Sequence, residues 1–323
     1  MDRPRYRDFN TFLRERFGRR VQKVTLDAGL ACPNRDGTLS TAGCVFCNAR
    51  GSGTGAAARG MSVTEQLATG KAVLAARYKA KKFLAYFQSY TNTYAPLPTL
   101  TSLWDQAMAD PDVAGLCVGT RPDCVPDEVL DLLAAYRSKG MVWLELGLQS
   151  AKDETLAAIN RGHSAACFAD AVARAKSRGL WVCAHAILGL PGETAEDMAA
   201  TADFLANLGV EGVKIHLLYA VKGTELGRMV EAGRCRMLSR GEYVERVCDF
   251  LERLHPETVV QRLTGDPHPG ELLAPPWCLD KRGVLADIKA RLAQRDTFQG
   301  RLYSGGGSAI LGPFSSSSHS PGR

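Results

Sequence analysis

The chain has 323 residues, 45% apolar and 23% charged, with 32 glycines and 15 prolines; this supplies a sizeable core and excludes wholesale disorder, collagen and a simple coiled coil. That length holds either two ordinary domains or one barrel-sized α/β domain. The net charge is +6, no apolar run is long enough to span a bilayer, and the charged first twenty residues carry no apolar leader, so the expectation is a cytoplasmic protein with no membrane partner.

The chain opens on a basic segment, residues 1–20. Phe9, Phe12, Leu13 and Phe17 recur at helical spacing there, predicting an amphipathic helix packed on the body with a solvated basic face. Binding of a polyanion such as RNA is the second reading of that charge. Strands are predicted over 21–26, 82–88, 113–119, 141–148, 180–188 and 212–219, alternating with helix-length amphipathic stretches. From the second strand on, their starts lie roughly 30 or more residues apart, as βαβ units require. Ser62 with Glu65, Pro126 before Asp127 and Glu128, and Thr194 before Glu196 and Asp197 mark helix starts, while Gly140, Gly179 and Gly209 are expected stops.

The predicted fold is α/β: a partial (β/α)6 TIM-like barrel in preference to an open doubly wound sheet, with a short N-terminal basic helix and a C-terminal α/β extension. Residues 256–298 form that extension, whose 262–267 and 275–277 segments are expected to cover the barrel mouth. Residues 299–323, rich in Gly and Ser, are expected to be a flexible tail.

Directly after the first strand come Cys32, Cys44 and Cys47, spaced C-x₁₁-C-x₂-C in a loop. A structural zinc wants four protein ligands and no fourth lies nearby, although a distant cysteine could complete the set. A cubane iron–sulfur cluster on three thiolates leaves one iron open to a substrate or cofactor. A redox or structural thiol set is the third reading. Cys117, Cys167, Cys183, Cys235, Cys248 and Cys278 are scattered, and buried packing is expected for them; Cys124, just after the third strand, is the exception to watch.

This cluster, on the first βα loop of a six-unit chain, resembles that of the radical S-adenosylmethionine (SAM) enzymes, in the branch with a long first spacing that includes the catalytic subunit of Elongator. Within it, Leu26–Leu30, Cys32-Pro-Asn-Arg-Asp-Gly, Tyr86–Tyr94 and Thr120–Cys124 are similar to the YhcC/YtqA-type proteins. The similarity runs over roughly residues 6–295, with a radical SAM core expected at 21–255. No acetyltransferase-like stretch follows, so Elongator's activity is not expected.

The resemblance implies a [4Fe–4S] cluster on Cys32, Cys44 and Cys47, SAM as second cofactor, and a one-electron donor such as flavodoxin or ferredoxin. It places SAM contacts at Gln88 and Ser89 after the second strand, at Glu145 and Gln149 on the fourth, and at Arg161 twelve residues on. Further contacts fall at His185 and in the Gly189-Leu-Pro191-Gly192 turn after the fifth. Lys214, His216 or Tyr219 on the sixth strand could face the reaction chamber; a satisfied core histidine is the other reading of His185 and of His216. The expected activity is reductive cleavage of SAM to a 5′-deoxyadenosyl radical, on an unknown substrate, with RNA or tRNA modification as one possibility. The alternatives are a small-molecule or porphyrin-like substrate, or a non-catalytic zinc- or iron–sulfur-binding module.

Overall fold

Seven parallel strands, hydrogen-bonded in chain order, carry the fold: β1 (Val21–Leu26), β2 (Lys82–Phe87), β3 (Val113–Thr120), β4 (Met141–Gln149), β5 (Trp181–Leu188), β6 (Gly212–Leu217) and β8 (Val259–Arg262). A short β7 (Ala220–Val221) pairs antiparallel with β9 (Leu272–Ala274). The structure is a computed structural model, and it describes residues 4–48, 51, 53–307 and 310. The sheet curls into a TIM-like partial barrel, as expected, and all six predicted strands form within two residues of their expected ends. The seventh, β8, comes from the segment expected to be an extension; its parallel pairing with β6 makes that segment part of the barrel wall.

The helices are α1 (Phe9–Phe17), α2 (Val63–Tyr78), α3 (Leu97–Met108), α4 (Asp127–Ala135), α5 (Asp153–Ala158), α6 (Ala165–Ser177), α7 (Ala195–Leu208), α8 (Glu225–Glu231), α9 (Arg240–Arg253) and α10 (Lys281–Gln294). Ser62 and Thr194 cap α2 and α7 in reciprocal capping boxes with Glu65 and Asp197, and Gly209 ends α7 in the left-handed conformation. Gly140 is different. The helix before it stops at Ala135, and Gly140 is required by close approach, because a Cβ there would lie 2.7 Å from the Ala114 carbonyl oxygen.

Two apolar layers flank the sheet, with a smaller cluster at the barrel mouth. One joins the outer face of the sheet to the helices, through Leu67, Trp104, Leu130, Phe168, Leu205 and Leu251 among others. The other fills the barrel at the strand starts: Phe12 and Leu13 of α1 meet Trp143, Trp181 and Val259, with ring centroids 5.5 Å apart for Phe12–Trp181 and 5.1 Å for Trp143–Trp181. The N-terminal helix is therefore a plug for one end of the barrel, held by its apolar stripe, with Arg14 and Arg19 exposed.

The far C-terminal expectations need correction. Residue 299 does not begin a tail. Gln299 is buried and donates to the carbonyls of His255, Pro256 and Thr258 while accepting from the Arg7 amide, so it ties the start of the chain to the entry of β8. Residues 308–309 and 311–323 of that expected tail lie outside the described residues. Trp277, expected over the barrel mouth, instead packs on Tyr243 of α9 at 5.6 Å.

Candidate active site at the barrel mouth

The strands end on one side of the barrel, and the segments that follow them converge there, the end at which barrels of this kind place reactive groups. They enclose a cavity of about 220 Å³. Cys32, Cys44 and Cys47 line it from the loop after β1. Gln88 and Ser89 line it after β2, Arg121 after β3, Gln149 from the end of β4, Arg161 after α5, and Ile187, Leu217, Leu218 and Tyr219 from the far wall.

The cysteine loop is fixed from both flanks. The Val45 amide donates to the Ile159 carbonyl, and the Leu226 amide at the start of α8 donates to the Val45 carbonyl at 2.8 Å. Asn160, at φ 53°, donates from Nδ2 to the Gly43 carbonyl at 2.7 Å, and Asn34 returns a bond to the Asn160 carbonyl at 2.6 Å. Val45 and Phe46 pack into an apolar cluster with Leu156, Leu190 and Leu218.

Three guanidinium groups surround the thiols. Arg161 places Nη1 3.5 Å from Cys44 Sγ and donates from Nη2 to the Gly147 carbonyl at 2.7 Å. Arg35 donates to the Cys47 and Asn48 carbonyls at 2.8 and 2.9 Å. Arg121, 1% exposed, forms a bidentate pair with Asp123. Burial raises the Cys47 thiol above its ordinary range, the neighbouring Cys44 adds to that, and Arg35 opposes it. Arg121 Nη1, Arg161 Nε and Asn34 Oδ1 are buried with no hydrogen-bond partner among the described residues.

A side chain at position 147 would displace Arg161 and Gln149 from their places. A Cβ there would lie 2.5 Å from Arg161 Nη2 and 2.7 Å from Gln149 Nε2, and the β4–β5 register shifts between Gly147 and Gln149, which adopts φ 80°. This bulge turns the end of β4 toward the thiols.

Below the mouth the chamber floor is ionic. Glu145, fully buried, takes Lys23 Nζ at 2.5 Å on one oxygen, and Lys214 Nζ together with His185 Nε2 (2.8 Å) on the other. Burial alone would raise the Glu145 carboxyl; Lys214 and Lys23 overcome it and hold the group well below its ordinary range. Burial, reinforced by Lys214, pushes His185 down to about 4, so it is neutral at pH 7.

Of the residues singled out from sequence, the three cysteines, Gln88, Ser89, Glu145, Gln149, Arg161 and His185 meet around one cavity. Gly189, Pro191 and Gly192 do not line it; they form the turn between β5 and α7, and Leu238 lies against Gly189. Glu145 and His185 are committed to each other and to two lysines, a pairing that spacing does not reveal. Sequence reading gave no site role to Arg121, Asn34, Lys23 or Tyr86, although Asn34, Tyr86 and Arg121 lie in the stretches that carry the resemblance.

The donor set fits a cluster better than a zinc. Among the described residues, the one trio of His, Cys, Asp or Glu donors all within 4.8 Å of one another is Glu145, Cys183 and His185. At least one pair of the loop's three thiols therefore stands more than 4.8 Å apart, wider than the roughly 4 Å between thiolates on one zinc. Three guanidiniums, each with a buried nitrogen that has no partner among the described residues, suit the negative charge of a thiolate-bound cluster.

Comparison with known proteins agrees. Residues 32–205, more than half the chain, match the family described as "Radical SAM superfamily", and residues 210–294 match "Radical_SAM C-terminal domain". The chain is 42% identical to "Uncharacterized protein YtqA" of Bacillus subtilis over 93% of each, and 45% identical to "Protein YhcC" of Escherichia coli over 84% of this chain and 86% of that one. It is 30% identical to Elongator complex protein 3 of Homo sapiens over 47% of this chain and 28% of that one. Among solved structures, its fold is like that of the archaeal Elp3 of Methanocaldococcus infernus, with a TM-score of 0.67 at 16% identity; the match covers 86% of this chain and 64% of that longer one. The chain belongs to the radical SAM superfamily, in the branch of YtqA and YhcC, and membership brings a [4Fe–4S] cluster and SAM as its cofactors.

Proposed function

We propose that the protein is a radical SAM enzyme in which Cys32, Cys44 and Cys47 hold the [4Fe–4S] cluster, and in which Gln88, Ser89, Gln149 and Arg161 hold SAM. When bound and reduced by a one-electron donor such as flavodoxin or ferredoxin, this pair of cofactors supplies a 5′-deoxyadenosyl radical that takes a hydrogen atom from substrate. The observation that carries the reading is the junction at Arg161, where one side chain reaches both the Cys44 thiol and the bulged end of β4.

The chain's own residues orient and exclude. Arg161, Arg35 and Arg121 offset the negative charge of the thiolates. Ser89 lies at the cavity edge beside Asn92, whose Nδ2 fastens the turn after β2 to the Ser89 and Gly119 carbonyls at 3.1 and 2.8 Å. Ile187, Leu217 and Leu218 make the far wall apolar and keep water from a reactive intermediate. Glu145 and His185, already bound into the floor, are left out of the SAM set. Gly189, Pro191 and Gly192, which do not line the cavity, are left out as well.

The substrate we favour is an RNA such as tRNA, supported by the kinship with Elongator complex protein 3. One observation favours a small-molecule or porphyrin-like substrate instead: the basic helix α1 plugs the end of the barrel opposite the cysteines, so its charge does not adjoin the mouth.

Anaerobic reconstitution tests the central reading. The wild-type protein is expected to carry about four irons and four sulfides per chain, and to release 5′-deoxyadenosine from SAM with dithionite; Cys44→Ala loses both. Stoichiometric zinc without sulfide, or no 5′-deoxyadenosine from fully loaded protein, overturns it.

A further inference from the structure

The floor of the chamber holds more positive charge than its one carboxylate balances. Lys214 on β6 and Lys23 on β1 hold Glu145, Arg262 on β8 stands opposite Lys214, and all but Lys23 line the cavity. Asp266, the partner of Arg262 at 3.3 Å, does not line the cavity; it is half exposed and shared with Lys281. His216 also lines the chamber, its ring centroid 5.1 Å from that of His185, and its Nε2 is buried without a partner among the described residues.

A local irregularity assembles this set. The β6–β8 register shifts between Val213 and Lys214, so that Lys214 stands opposite Arg262 and Gln261 is passed over. Consecutive side chains of β8 then serve the interior: Gln261 accepts from Lys23 at 2.6 Å, while Arg262 reaches the cavity. A bulge of this kind re-aims a side chain that strict alternation would send outward. The Tyr86 ring lies 3.9 Å below the Lys214 ammonium, fixing it toward the chamber axis.

Taking from the radical reading only that a substrate enters this chamber, we propose that its floor is a binding site for an anionic group of the substrate, a carboxylate or a phosphate, held by Lys214, Arg262 and His216. The groups facing Lys214 are Glu145, Lys23, His185, Cys183, Tyr86, Arg262 and His216, so one carboxylate meets Lys214 and two further cations, of which Arg262 is also paired with Asp266. Lys23 and Lys214 share one carboxylate, so one buried cation is left over, and Arg262, 30% exposed and paired outward with Asp266, adds its charge at the cavity edge. Such a surplus is costly unless an anion arrives, and charge-assisted hydrogen bonds to an oxyanion are the strong kind. Burial, with Lys23 and Arg262 nearby, pushes Lys214 down to about 8. A bound anion reverses that shift, so binding above pH 8 takes up a proton.

The test uses the full-length protein, titrated calorimetrically with sodium acetate and separately with inorganic phosphate at fixed ionic strength, with chloride as control. One saturable site is expected for at least one of the two. Acetate alone names a carboxylate, phosphate alone a phosphate, and both an oxyanion of either kind. Arg262→Gln and Lys214→Met should each weaken that site about tenfold or more, and at pH 8.5 the heat should vary with buffer ionisation enthalpy as proton uptake requires. Arg262, at the end of its strand, keeps the test open where Lys214→Met fails to fold. Binding of neither anion, or binding unchanged in Arg262→Gln, overturns the proposal. Release of 5′-deoxyadenosine is scored separately, so protein that cleaves SAM but binds neither anion loses this inference and keeps the radical reading.

Discussion

Arg161 stands 3.5 Å from the Cys44 thiol, although 117 residues separate them. The contact depends on the left-handed Asn160 that ends the α5 turn and on the missing side chain at Gly147, whose carbonyl also receives His163 Nε2 at 3.1 Å. Arg161 thus acts on the cysteine loop without being one of its ligands, the kind of outer contact whose loss typically costs 10–100-fold. Arg161→Met is expected to keep its iron and to release 5′-deoxyadenosine about 10–100-fold more slowly. Iron lost in step with activity would assign Arg161 to assembly of the site instead.

Acid should unfold this protein early. His185 is held down to about 4, and His163 to about 3, by burial with cationic neighbours, while burial holds His216 well below its ordinary 6.5. As the pH falls below 6.5 the unfolded chain takes up three protons that the folded chain refuses, so stability present above 6.5 is lost on the way to 4. Glu193 works the other way: burial raises it to about 7, so the folded chain gains a proton there first. Three losses against one gain leave about 2 kcal/mol lost between pH 7 and 5.5. Urea midpoints measured across that range should fall, and the fall should be shallower in His163→Asn.

The strands were legible because parallel strands buried on both faces read as near-continuous apolar runs, as residues 141–148 do with Glu145 their one charged residue. The three cysteines were legible for a similar reason, since ligands in one loop keep their spacing in the chain. Lys23, Glu145 and Lys214 were not, because each sits on a different strand and only curling of the sheet joins them. Val259–Arg262 is too short to announce a strand, and the bulge that sends Arg262 inward leaves no mark on residue order. Gln299 looked like the start of a tail because its five bonds and contacts reach backbone far away in the chain.

The position of α1 separates stability from chemistry. Phe12 fills the barrel end against Trp143 and Trp181, so Phe12→Ala should cost about 3–5 kcal/mol in urea unfolding. Arg14 and Arg19 are exposed at that same end, away from the thiols, so reversing both to Glu should leave 5′-deoxyadenosine release within about twofold. A drop of tenfold or more would mean that the basic face communicates with the mouth.

Cys124 is the remaining thiol near the loop, and its place in the 3₁₀ turn Pro122–Cys124 decides its role. Its carbonyl accepts from Thr93 Oγ1, burial pushes its thiol up to about 12 with Asp123 adding to the shift, and it does not line the cavity. A buried thiol that resists ionisation and does not line the chamber is a poor ligand, since metals take the thiolate. Iron and sulfide content after anaerobic reconstitution should therefore be unchanged in Cys124→Ala and strongly reduced in Cys32→Ala, Cys44→Ala and Cys47→Ala. Equal loss in all four would make Cys124 a fourth ligand, close the open coordination position that SAM needs, and remove the chemical basis for cleaving it.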